Sequence, residues 1–96
     1  MKKNQIAKID KVDIPLIKFA NTDVLIDNEQ KSFRRFELIR AQTLGNLYKQ
    51  SVEIQFQNTD GDLLETQASV WAVTDKKVIL KHGLTIPVNA VYKVVT

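Results

Sequence analysis

The spacing of apolar residues changes period along the chain. In residues 1–26, Ile6, Ile9 and Val12 recur at every third position, while Val12, Ile14 and Leu16 recur at every second. Pro15 has no N–H to donate, which argues against a helix interior or a central strand. The three-residue spacing allows a short helix; the preferred reading is an extended arm along a sheet edge or across a neighbouring subunit. Its apolar side chains, Ile14 and Leu16 among them, are too many for a solvated tail and must pack on something. Residues 27–45 predict a helix, with Asp27 as N-cap, Gln30 completing a capping box, and Gly45-Asn46 as the stop. At 100° per residue Phe33, Phe36, Ala41 and Leu44 share the core face, with Ile39 at its shoulder. Lys31, Arg34, Arg35 and Gln42 fall on the opposite, solvent-facing arc. Glu37 and Arg40 project among the apolar positions and, three residues apart, can pair with each other or across an interface.

From residue 47 the period is two. Val52, Ile54 and Phe56 alternate with Glu53, Gln55 and Gln57, and Asn58–Asp62 supplies a turn with Gly61 available for positive φ. A long second strand, Leu63 to Thr74, carries Thr66, Ala68, Val70 and Ala72 on one face and Glu65, Gln67, Ser69, Trp71 and Val73 on the other. Val78–Leu80, Leu84–Ile86 and Val91–Val95 follow, separated by Asp75-Lys76-Lys77, by His82-Gly83, and by a tight turn at Val88-Asn89-Ala90 after Pro87. Val94, two residues after Tyr92, places the Tyr92 ring in the core. Five short strands expose two edges unless the sheet closes. The expectation is one α+β, mostly β domain over 1–96: an arm (1–26), a helix (27–45), and a five-stranded, strongly bent antiparallel barrel (47–96).

This element order resembles the Sm-like group of SH3-like small barrels over residues 27–96. Val73–Leu80 is similar to the strand–turn–strand of the group's first motif, with Asp75 at the turn and Val78-Ile79-Leu80 after it. Ile86–Val91 followed by Val94 resembles the closing element, where a tight turn joins the last two strands. The resemblance implies the fold and carries over no RNA-contacting residue. The group's basic closing pair falls near Val88 and Asn89, Lys81-His82-Gly83 comes one turn too early, and residues 63–74 hold no glycine at the bend.

Composition narrows the chemistry. A hydrophobic fraction of 44% with 26% charged residues suits an ordinary globular domain, and the chain has no cysteine and one histidine. Disulfide scaffolds, thiolate metal sites, cysteine nucleophiles and zinc centres are therefore excluded. His82 is the single side chain suited to neutral-pH proton transfer, and its turn position brings it neither an orienting partner nor a nucleophile. Asp60-Gly61-Asp62 lacks the regular ligands of a calcium loop and reads as turn chemistry. No catalytic residue, metal or cofactor is expected, and the protein is not expected to be an enzyme.

The net charge of +3 lies unevenly: residues 1–50 carry ten Lys/Arg against six Asp/Glu, whereas 51–96 carry four against five. Lys2 and Lys3 belong to the basic half. Any nucleic-acid contact should then use the helix, through Lys31, Arg34, Arg35 and Lys49. A solvated charged face is the plainer reading of that cluster. Trp71, on a largely polar strand face, is a candidate interface anchor, although cover by the helix or the arm is the plainer reading because residues 12–26 must bury their apolar side chains. The leading expectation is thus a non-enzymatic interaction or assembly module, protein-binding or self-associating, with Trp71, Glu37, Arg40, Ile14 and Leu16 at its interface. The alternative is a small RNA-binding protein. Met-Lys-Lys opens like a signal peptide, but Asn4, Gln5, Lys8, Asp10 and Lys11 interrupt any apolar stretch, and no apolar run approaches a bilayer span. A cytoplasmic location without membrane contact is the expectation.

Overall fold

The structure is a computed structural model that describes residues 6–96, so Lys2 and Lys3 lie outside the described residues. In chain order the elements are β1 (Ala7–Lys8), a 3-10 turn (Lys11–Leu16), α1 (Asn28–Tyr48), β2 (Val52–Gln57), β3 (Leu63–Ala68), β4 (Val70–Val73), β5 (Lys77–Leu80), a 3-10 turn (Lys81–Gly83), β6 (Thr85–Pro87), a 3-10 turn (Val88–Ala90) and β7 (Val91–Val95). The fold is α+β, with one long helix and two sheets among the described residues. One sheet has the order β1-β3-β2-β7 and the other β4-β5-β6; β1 runs parallel to β3 and the remaining neighbours are antiparallel.

The expected closed barrel is not found. No ladder joins β6 to β7 among the described residues, and the long strand drawn from Leu63 to Thr74 is two strands in different sheets. The chain changes sheets at Ser69, whose carbonyl accepts the Lys81 N–H at 2.9 Å and whose hydroxyl donates to Gln50 O at 3.3 Å. Backbone polar groups at the bend thus keep partners, and no glycine is required there.

Alternation does place the core. Val52, Ile54 and Phe56 of β2 point inward at 2%, 0% and 0% exposure and meet Ile14, Leu38, Val70, Val78, Leu80, Ile86 and Val91. Burying each such Leu, Ile or Phe side chain contributes about 1.5–3 kcal/mol relative to leaving it in water. Two register shifts complicate the pattern. Val70 faces Leu80 while Ala72 faces Ile79, which leaves Trp71 as an extra residue on β4; Phe56 faces Val91 while Gln55 faces Lys93, which leaves Tyr92 extra on β7. A bulge of this kind re-aims the residue it inserts. Val91 and Val94 both point inward, and Tyr92 turns out to 43% exposure instead of joining the core as expected.

The helix differs from expectation at both ends and around its circumference. Asp27 caps it by accepting the Glu29 N–H at 3.0 Å, without the reciprocal Gln30 bond of a capping box. At the other end it continues through Gly45-Asn46 to Tyr48 and stops at Lys49, held left-handed at φ 56 with its N–H on Leu44 O. Gly45 is a packing residue. A Cβ there would sit inside contact distance of the Val70 carbonyl oxygen and 3.2 Å from Val70 N, so only glycine lets the helix lie this close to β4. The core face is accordingly Arg34, Leu38, Ala41 and Gly45, with Leu44 partly buried beside it. Phe33 and Phe36, expected inside, are 63% and 59% exposed. Arg34, expected in solvent, is buried.

The arm does lie on a sheet edge, where Ala7 and Lys8 pair with Leu64 and Glu65 and the Ile9 N–H reaches Glu65 O at 2.8 Å. It then turns instead of staying extended. Pro15 falls inside the 3-10 turn at Lys11–Leu16, capped by Asp10 on the Val12 N–H. A stretch this short asks few N–H groups of its interior, which is why proline is tolerated. Ile14 plugs the core at 1% exposure and Leu16 remains exposed.

Candidate docking surface

The helix is anchored first by Arg34. Its guanidinium donates from Nη1 and Nη2 to Asp23 Oδ1 and Oδ2, each at 2.9 Å, and from Nη1 to Val91 O at 3.1 Å. Two parallel charge-assisted bonds fix direction as well as distance. The guanidinium bonded to Asp23 holds that carboxyl below the usual carboxylate range, against the opposing effect of partial burial; the Leu25 N–H and Lys31 act in the same direction as the guanidinium. Asn89, in the turn before β7, donates to Ala20 O at 2.9 Å and Thr22 O at 3.2 Å, and its own carbonyl accepts the Val24 N–H at 2.9 Å. Arg34 and Asn89 together strap the segment before the helix onto β7. This is a structural use of a residue placed in the candidate basic cluster.

The other members of that cluster are dispersed. Arg35 Nη1 donates to Thr74 O at 2.7 Å, and its Nη2 lies 3.9 Å from Asp75 Oδ1. Asn46 Nδ2 donates to Trp71 O at 3.2 Å, so side chains at both ends of one helix flank cap the carbonyls of the β4 edge. That covering deals with an otherwise open edge strand. Lys31 and Lys49 lie eighteen positions apart, about 27 Å along a helix at ~1.5 Å per residue. Structure therefore does not bring Lys31, Arg34, Arg35 and Lys49 together as a free basic face.

What the helix does present is apolar. Phe33, Phe36 and Leu47 lie within an arc of about 60° at 100° per residue, with Arg40 inside it and Leu44, partly buried against the core, at its margin. Phe33, Phe36 and Leu47 are 63%, 59% and 69% exposed, and the rings of Phe33 and Phe36 lie 6.5 Å apart. Beside the first half of this face runs a groove of about 490 Å³ between α1 and β7, lined by Leu25, Phe33, Arg34, Glu37, Tyr92 and Lys93 among others. Glu37 and Arg40, spaced so that they can pair with each other or across an interface, form no ion pair with each other or with another group among the described residues.

Of the remaining interface candidates, Ile14 is spent in the core and Leu16 is exposed on the far 3-10 turn. Trp71 remains 45% exposed at its bulge, with the His82 ring 6.3 Å away. His82 is itself exposed at φ 70, with no carboxylate or nucleophile bonded to it among the described residues. The Asn58–Asp62 loop is a turn in which the Asn58 side chain accepts the N–H groups of Asp60 and Asp62. No cluster of three potential metal ligands occurs among the described residues, and no helix among them is long and apolar enough to cross a membrane.

The sequence pattern does not mark Leu47, and it places Phe33 and Phe36 in the core, where the structure does not put them. The signal that separates the two faces is the spacing Arg34, Leu38, Ala41, Gly45, which marks the buried stripe once Gly45 is read as a packing residue. Comparison of the chain with protein-family models, with curated proteins and with solved structures gave no match.

Proposed function

We propose that the protein is a non-enzymatic interaction and assembly module, an open SH3-like small barrel of Sm-like element order whose docking surface is the outer face of α1. The observation that carries this reading is the exposure of Phe33, Phe36 and Leu47 along one side of a helix whose opposite side is already packed. Exposed aromatics gathered beside a groove are typical anchors of a protein partner. Two features favour the open-barrel reading: a four-stranded and a three-stranded sheet joined at the Ser69 bend, and a 3-10 turn before the last strand. The RNA-binding alternative has less support, because Arg34 is buried against Asp23 and Arg35 donates to Thr74 O.

Sedimentation velocity over a dilution series tests the reading with wild type and Phe36→Glu. Wild type is expected to associate reversibly, or to bind a protein partner through α1, and the variant to remain folded and lose that association. An association untouched by Phe36→Glu would contradict it. So would steeply salt-dependent binding of single-stranded RNA, the signature of phosphate contacts.

A further inference from the structure

We infer that the partner of the α1 face is α1 of a second copy, packed antiparallel about a two-fold axis, with Glu37 of each chain paired to Arg40 of the other. This rests on the docking surface proposed above and goes further by naming its occupant and register. Phe33, Glu37, Arg40 and Leu44 stand at i, i+4, i+7 and i+11, within about 60° of one another around the helix. The stripe thus reads apolar, acidic, basic, apolar. Running it backwards against itself matches every position: Phe33 meets the second copy's Leu44, and Glu37 meets its Arg40, each contact occurring twice. An isologous interface requires this kind of self-complementarity.

Charge selects the register. A two-fold axis placed at Arg40 would also align apolar residues, Phe33 with Leu47 and Phe36 with Leu44, but it sets two guanidinium groups against each other. A parallel pairing does the same. The axis between Leu38 and Ile39 keeps like charges apart and gives both unpaired charges of the stripe an opposite partner. Neither charge has a competing ion pair within its own chain among the described residues. Phe36 and Leu47 lie on one shoulder of the stripe and would shield the ion pairs from water. The groove beside Phe33 and Glu37 leaves room for the second helix on the β7 side. The contact is short, a few helical turns, so the dimer is of the weak, concentration-dependent kind.

The test uses Glu37→Arg and Arg40→Glu, alone and mixed in equal amounts, by sedimentation velocity and native mass spectrometry, with circular dichroism to verify folding. Each variant alone places like charges at both contacts and is expected to self-associate at least about tenfold more weakly than wild type. The mixture restores two Glu–Arg contacts and is expected to give a heterodimer as strong as the wild-type dimer. If either charge reversal perturbs the helix, Glu37→Gln and Arg40→Gln replace it and should each weaken the dimer severalfold. A wild-type chain that stays monomeric up to millimolar concentration overturns the inference. Charge variants that dimerise like wild type, or whose mixture forms no heterodimer, overturn it too. If Phe36→Glu alone abolishes association in that case, the α1 surface stands and only the antiparallel self-pairing fails. If Phe36→Glu also leaves association intact, both fail.

Discussion

Arg34 holds Asp23 through two parallel contacts of 2.9 Å, and the same guanidinium reaches Val91 O, so one side chain joins α1, the segment before it, and β7. That arrangement determines which way the helix faces. With a charged residue turned inward at the first turns and glycine inward at the last, the helix presents its phenylalanines outward, and the candidate surface is a consequence of the anchor.

Asp23→Asn should therefore destabilise the fold by about 2–4 kcal/mol, because it leaves a buried guanidinium without its counter-charge. Urea denaturation at neutral pH measures it. The Asp23 carboxyl titrates below its ordinary 3.8 in the folded chain. Its contribution is complete above that value and is lost as pH falls through the lower folded one. Wild type should lose stability over that acid range, and the part of the slope due to Asp23 should vanish in Asp23→Asn.

Leu38→Ala and Phe36→Ala distinguish the two helix faces. Leu38 is fully buried, so truncation should cost about 2–5 kcal/mol. Phe36, more than half exposed, should cost less than about 1 kcal/mol in the monomer despite its larger ring. Thermal melts at low protein concentration compare them directly; the reverse order would restore the face expected from hydrophobicity alone.

Much of the fold was legible in local pattern. Asp27 starts the helix, the alternation of Val52, Ile54 and Phe56 gives a half-buried strand, and the Asn58–Asp62 and Val88–Ala90 turns fall where turn chemistry puts them. What was not legible depends on partners distant in sequence. The inward turn of Arg34 needs Asp23 eleven residues earlier and Val91 fifty-seven later. Gly45 looks like a helix stop until β4 is brought against it. Trp71 and Tyr92 face outward because of register shifts that two-residue alternation does not encode. The candidate surface is illegible for the same reason: apolar size marks Phe33 and Phe36 as core residues, and the close approach of the backbone at Gly45 outweighs it.

Gly45→Ala is the sharpest test of that close approach. On a free helix it would gain roughly 0.8–1.0 kcal/mol in propensity. Here the added methyl meets the Val70 backbone, which has no flexible end to move aside, and a net loss of about 1–3 kcal/mol is expected. Equilibrium unfolding gives the sign, and a stabilised variant would show that α1 does not rest on β4.

Lys49→Gly should act in the opposite direction. Lys49 ends the helix at φ 56, ψ 30, a conformation glycine adopts without strain. A gain of about 0.5–1 kcal/mol in thermal or chemical denaturation is expected. Its side chain makes no ion pair among the described residues, so nothing offsets the relief.

The central claim, that α1 is the docking surface and that a second copy occupies it, is tested most directly by following backbone amide resonances as the protein is diluted from millimolar to micromolar concentration. The account predicts concentration-dependent shifts confined to residues 33–47 of α1 and to the facing residues Tyr92 and Lys93 of β7, with the arm and the Trp71 bulge unchanged. Shifts centred on Trp71 and His82, or on Val12 and Leu16, or an absence of any concentration dependence, would contradict it.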